Sequence, residues 1–166
     1  AEVGLLTVEF ARRTGRTGPG AGRPAKLYRR SDTAIAVQLP ERSYEVAGQL
    51  LAEAVDEAEA TGESPRTVLR RRAGEFGRAL GVDTEPTDDG VLATLGRCGY
   101  EPRTDGDDIV LANCPFHDLA ARHTQLVCGM NLGLVTGLLE GANCADRQAR
   151  LVPHEQHCCV RIERAG

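Results

Sequence analysis

The segment QLVCGMNLGLVTGLLEG, Gln125 to Gly141, constrains the fold most. Leu126, Met130, Leu134 and Leu138 recur along one helical face, and Cys128, Leu132, Val135 and Leu139 along another. A helix that is apolar nearly all round belongs in an interior. It is shorter in apolar length than a membrane span, as is every other run, and no signal peptide is visible. A cytoplasmic protein without membrane contact is therefore expected. At 166 residues the chain supports one compact domain with room for a small appended piece. Aromatics make up only 4% and Trp is absent, so Leu, Val and Ala must fill the core.

Around that helix the pattern is mixed. The opening GLLTVEFARRTGRTGPGAGRPAKLYRRS reads as two short strands, Thr7–Ala11 and Lys26–Arg30, joined by a loop too rich in Gly, Pro and Arg to be helical. Helical spacing predicts a helix from Ser43 to Thr61, stopped by Gly62. A second follows from Ser64 as N-cap and Pro65 to Gly81, and a short third is capped by Asp88 or Asp89. From Tyr100, YEPRTDGDDIVLANC predicts a hairpin turning at TDGD. A helical region then runs from Pro115 to about Gly141, and RQARLVPHEQHCCVRIE supplies two more strands. The expected fold class is α+β: a β-ribbon, linking helices, and a small antiparallel sheet with helices on one face. The expected divisions are residues 1–31, 32–82 and 83–166.

Charge is unevenly spread. The net charge is −4, yet Arg12, Arg13, Arg16, Arg23, Lys26, Arg29 and Arg30 follow one another with no acidic residue between them. A basic block in an acidic chain points to local contact with a polyanion, and a ribbon with an arginine-studded tip suits a phosphate backbone. A basic linker is the plainer alternative.

Six cysteines lie at positions 98, 114, 128, 144, 158 and 159, with His117, His123, His154 and His157 near them. A chain this size needs no staples, so reduced thiols binding a metal are the expected use. Pro115 suits a first helical position and makes Cys114 the N-cap, where backbone N–H groups should depress its pKa. A straight helix from Pro115 past Cys128 would separate Cys114 from Cys128 by roughly 21 Å. A shared site therefore requires a corner near His123–Thr124, with Thr124 capping a second helix. A multinuclear centre tolerates such wide separation better than one zinc ion. Strand alternation sets Cys158 with Val160 and Ile162 and puts Cys159 on the opposite face, which favours Cys158 and holds Cys159 in reserve. Cys144 sits in a loop and Cys98 reads as structural. Cys114 and Cys158 with two of the histidines form a rival zinc set. A thiol enzyme using Cys114 with His117 or His123 is the third possibility, but no oriented acid or oxyanion loop accompanies them. The chain is not expected to be an enzyme.

These residues carry a resemblance. The opening resembles the wing of winged-helix transcriptional regulators: GLL, then strand, arginine loop and AKLYR. The pieces LANCPFHDLAARH, LVCGMNLGLV, NC before a strand, and HEQHCCVRI resemble the effector domain of the iron–sulfur-sensing repressors of Suf-type cluster biogenesis. Such proteins often have Pro where Thr124 stands, in keeping with a corner there, and the Cys128 to Cys144 interval is slightly longer here. The resemblance implies a cytoplasmic, homodimeric DNA-binding repressor with a [4Fe–4S] cluster on Cys114, Cys128 and Cys158. Cys144 or a non-cysteine group is the fourth ligand it implies. It also implies DNA contact through the wing residues Arg12, Arg13, Arg16, Arg23 and Lys26, a dimer contact through the helix from Ser43, and a recognition helix outside this sequence. Zinc, or a small hydrophobic effector in place of the cluster, is the alternative within the same kind of regulator.

Overall fold

The computed structural model describes residues 6–11, 24–30, 42–153 and 157–165. The chain divides into two compact units, Ala1–Val37 and Gln38–Gly166. In the first, β1 (Leu6–Ala11) and β2 (Ala25–Arg30) form an antiparallel ladder with Leu6 opposite Arg30 and Ala11 opposite Ala25. The ribbon is largely exposed, Phe10 and Tyr28 included, and the Lys26 ammonium stands 5.3 Å from the centre of the Tyr28 ring. Arg12, Arg13, Arg16 and Arg23 lie outside the described residues.

The second unit contains α1 (Tyr44–Thr61), α2 (Pro65–Gly81), α3 (Asp88–Arg97), β3 (Pro102–Asp105), β4 (Asp108–Leu111), α4 (His117–Arg122), α5 (Thr124–Gly141), β5 (Arg147–Leu151) and β6 (Val160–Arg164). The fold is α+β, as its sequence pattern indicates, with five helices and two small antiparallel sheets among the described residues. The four-stranded sheet has the order β3-β4-β6-β5, and every pairing is antiparallel. Ile109 and Leu111 on β4 and Val160 and Ile162 on β6 are buried on one face, with α5 against the sheet. From Gln38 onward the chain is one compact unit, in which α2 packs along α5.

That packing depends on glycine. A Cβ on Gly77 would meet the Leu134 carbonyl, one on Gly137 the Gly74 carbonyl, and one on Gly141 the Arg78 carbonyl. The close approaches advance together along both helices, from Arg70 with Gly133 to Arg78 with Gly141, so α2 and α5 run parallel with their backbones touching. Glycines at 129, 133, 137 and 141 fall one helical turn apart and line a groove on α5. The buried residues of α5 include Val127, Cys128, Met130, Asn131, Leu134, Val135, Leu138 and Leu139, as an apolar-all-round helix requires.

Local signals explain most boundaries. Gly62 ends α1 at φ 74°, and Pro65 opens α2 behind Ser64. The Gly106 turn, at φ 64°, joins β3 to β4. The cap of α3 is Thr87 instead of an aspartate: its hydroxyl accepts the Gly90 N–H at 3.2 Å. Asp88 is committed elsewhere, to the buried Arg147 guanidinium, whose Nε donates to it at 2.9 Å. No described helix is long and apolar enough to cross a membrane.

Candidate functional site

The helical region after Pro115 breaks where a shared cysteine site needs it to. α4 ends at Arg122, His123 takes φ −130° and ψ 48°, and α5 begins at Thr124. Thr124 does not cap α5; its hydroxyl donates backward to the Ala120 carbonyl at 2.8 Å. The start also differs from the expected one. Cys114 lies in the loop before α4 and Phe116 occupies the capping position, with the His117 N–H donating to the Cys114 carbonyl at 3.1 Å.

Cys114 and Cys158 form the first half of the site. The Cys158 thiol donates to the Cys114 sulfur, which also accepts the Phe116 backbone N–H. Those bonds, with the Arg42 guanidinium nearby, outweigh burial and hold the Cys114 thiol down to about 7. A lowered pKa is thus present, but its largest cause is the partner thiol, with the backbone N–H second to it. The same bond pushes Cys158 up, burial adds to the rise, and Cys158 stays a thiol. Alkylation of Cys114 by iodoacetamide should accordingly rise with pH to a half-maximum near 7, against about 8.5 for an ordinary cysteine. Below that pH the sulfur is protonated and unreactive. Cys158→Ala removes the largest cause and should move the midpoint upward; a midpoint already at 8.5 in the unaltered chain would refute the pairing.

Cys128 and Cys159 form the second half. Their Cα atoms are 6.4 Å apart and the sulfurs are joined as a disulfide. Strand alternation would let only one of Cys158 and Cys159 face the site. β6, however, begins at Val160, opposite Leu151, so Cys158 and Cys159 precede the regular strand even though their backbones bond to Leu111 and Val152. Cys158 turns to Cys114 and Cys159 to Cys128. The halves adjoin. Asn131 is one helical turn beyond Cys128, which places their Cβ atoms roughly 5–6 Å apart, and its amide nitrogen donates to the Cys158 sulfur at 3.0 Å. The two pairs, drawn from three segments, therefore lie on either side of Asn131, with Cys114, Cys128 and Cys158 buried and Cys159 half-buried.

The patch rests on polar groups that periodicity does not reveal. Asn131 is fully buried, and the Tyr100 hydroxyl donates to its carbonyl oxygen, so both ends of the amide are used. Burial pushes the Tyr100 hydroxyl well up, and it remains a donor. Arg42 Nη1 donates to Asn113 Oδ1 at 2.6 Å and to the Cys114 carbonyl at 3.2 Å. The Ser43 N–H donates to the Pro115 carbonyl at 3.1 Å, and its hydroxyl to the Cys98 carbonyl at 3.1 Å. The start of α1 is thereby fastened to the Cys114 loop. Asn131 was open to inspection, an amide in the middle of the apolar run from Leu126 to Val135.

Cys144 is not brought to the patch. α5 runs thirteen residues from Cys128 to Gly141, roughly 20 Å of helix, and Cys144 is anchored at the far end by its N–H to the Leu139 carbonyl at 3.0 Å. Burial, then Asp146, raises its thiol. His117 and His123 are exposed on and beside α4, His157 is exposed beside Cys158, and His154 lies outside the described residues. Among the described residues, no three His, Cys, Asp or Glu side chains are grouped so as to hold a metal ion; the thiols stand as two pairs. Comparison with family models, with curated proteins and with solved structures finds no match to this chain.

Proposed function

We propose that this chain is the wing and effector part of a winged-helix transcriptional regulator, and that Cys114, Cys128, Cys158 and Cys159 hold an iron–sulfur cluster in the reduced protein. The observation that carries the reading is the nearness of two cysteine pairs, Cys128 with Cys159 and Cys114 with Cys158, on either side of Asn131, whose amide reaches the Cys158 sulfur. Thiolates are the ligands of such clusters, and donors to sulfur tune them. Asn131 and the N–H groups of Phe116 and Val160 are donors of this kind. Cys159 takes the fourth place here, since Cys144 lies at the other end of α5. The Cys128–Cys159 bond has to be reduced before the set is complete.

A bound cluster supplies a charged, redox-active group whose presence reports iron and oxidation status. The chain's own part is transmission. Arg42 and Ser43 bind the loop of Cys114 to the first turn of α1, so a change in that loop bears on the helix that follows the N-terminal unit in the chain. Gain or loss of the cluster then shifts a population between DNA-binding and non-binding arrangements of a homodimer. DNA is contacted by the basic residues of the β1–β2 ribbon, Lys26 among them, and repression is the expected mode.

Purification without oxygen tests this. Iron and acid-labile sulfide in equal amounts, with a brown protein, are expected. Stoichiometric zinc in a colourless protein that unfolds on chelation would replace the reading with a structural metal site. Neither metal after reconstitution would end it.

A further inference from the structure

The four-stranded sheet ends on two different edges. β3 opens with Pro102, has only four residues and carries Arg103 and Asp105, features that blunt an edge against further pairing. β5 has no proline, and its arginines are engaged: Arg147 by Asp88 and the Asp107 carbonyl, Arg150 by Glu163 and Gln148. The Ala165 N–H donates to the Asp146 carbonyl and the Val152 N–H to the Cys159 carbonyl, both at 2.8 Å. With those ends fixed, the alternation of an antiparallel ladder turns the backbone groups of Gln148 and Arg150 to β6. The N–H and C=O groups of Ala149 and Leu151 therefore point away from the sheet, along an edge that no other described strand covers.

A groove of about 690 Å³ runs beside that edge. It is lined by β5 through Gln148 and Ala149 and by α5 through Leu132, Thr136 and Leu139. Glu140, also in the lining, is paired with Arg78, and Arg147 with Asp88. Arg70, which reaches the groove from α2, is exposed, and no described hydrogen bond or ion pair engages its guanidinium. The one uncommitted charge among the described lining residues is thus a cation.

We propose that the β5 edge and α5 form a docking groove for an extended acidic peptide of a partner protein, which adds to the sheet beside β5. The open N–H and C=O groups of Ala149 and Leu151 supply main-chain hydrogen bonds to the peptide. Every second peptide side chain points toward the helices. Those side chains meet Leu132 and Leu139 or the Arg70 guanidinium, so they are apolar with an acid among them. The groove depends on neither the cluster nor DNA contact.

The test uses the whole chain in one redox state and a labelled, capped heptapeptide with threonine at every second position and valine, with one glutamate, between. Fluorescence anisotropy measures binding and amide NMR shifts locate it. Saturable binding is expected, with the largest shifts at the Ala149 and Leu151 amides. Methylating one alternate set of peptide nitrogens should weaken binding roughly thirtyfold, the loss of two ladder hydrogen bonds, while methylating the other set has little effect. Arg70→Ala should weaken it about three- to fivefold, as for an exposed charge pair, and lysine in place of the peptide glutamate should weaken it further. No binding, or equal binding of both methylated peptides and the parent, overturns strand addition. Equal binding of the glutamate and lysine peptides overturns the acidic partner. Shifts at Ala149 and Leu151 that grow with protein concentration in the absence of peptide would give the edge to a second copy of the chain and overturn the proposal.

Discussion

Gly137→Ala is expected to destabilise the fold by about 2 kcal/mol, although alanine is the better helix former by about 1 kcal/mol. The new Cβ would meet the Gly74 carbonyl and the Arg78 backbone nitrogen, neither of which can rotate away. α2 and α5 must separate, and overpacking of this kind typically costs about 1–3 kcal/mol, with looser packing along the rest of the seam adding to it. Gly129→Ala on the same helix reverses the sign. Nothing lies within 4 Å of its Cβ position, so the propensity gain of about 0.5–1 kcal/mol should be realised. Urea unfolding of both variants under one redox condition checks the pair. Equal midpoints would mean that the helices are not in backbone contact.

Arg147→Ala is expected to cost about 2–3 kcal/mol, the range of hydrogen bonds to charged groups. The Arg147 side chain is 3% exposed although it begins β5, and its three nitrogens are used. Nε and Nη2 bind the two Asp88 oxygens, and Nη1 binds the Asp107 carbonyl. One side chain thus ties β5 to the first turn of α3 and to the β3–β4 turn. Asp88 is 44% exposed and water can replace part of what it loses, which keeps the cost below that of a fully buried pair. Arg150→Ala, removing an exposed pair with Glu163 at 3.1 Å, should change stability by less than about 1 kcal/mol. Similar losses for the two arginines, read by the same unfolding curves, would show that the clamp is not what holds the sheet end.

Much of the fold was open to reading from periodicity and punctuation. The β-ribbon, α1 stopped at Gly62, α2 from Pro65, the Gly106 hairpin and the buried α5 all follow from local pattern. Long-range partners account for the rest. Asp88 is a reasonable cap for α3 by residue type, but a carboxylate bound to Arg147, 59 residues away, leaves the cap to Thr87. The four-residue spacing of Gly129, Gly133, Gly137 and Gly141 is visible in the sequence, yet a helix groove means little until a second helix is known to lie in it. In the site, the corner at His123 follows from the distance between Cys114 and Cys128. Which cysteine joins them does not, because alternation from Cys158 presumes a strand that begins two residues later, at Val160.

The ligand assignment separates most sharply at Cys144 and Cys159. Iron and sulfide should be measured in Cys144→Ser and Cys159→Ser after identical oxygen-free purification. If the patch described here holds the cluster, Cys144→Ser retains the full content and Cys159→Ser loses most of it. Full content in Cys159→Ser with loss in Cys144→Ser would mean that the far end of α5 supplies the ligand, contradicting the four-thiol patch as the metal site.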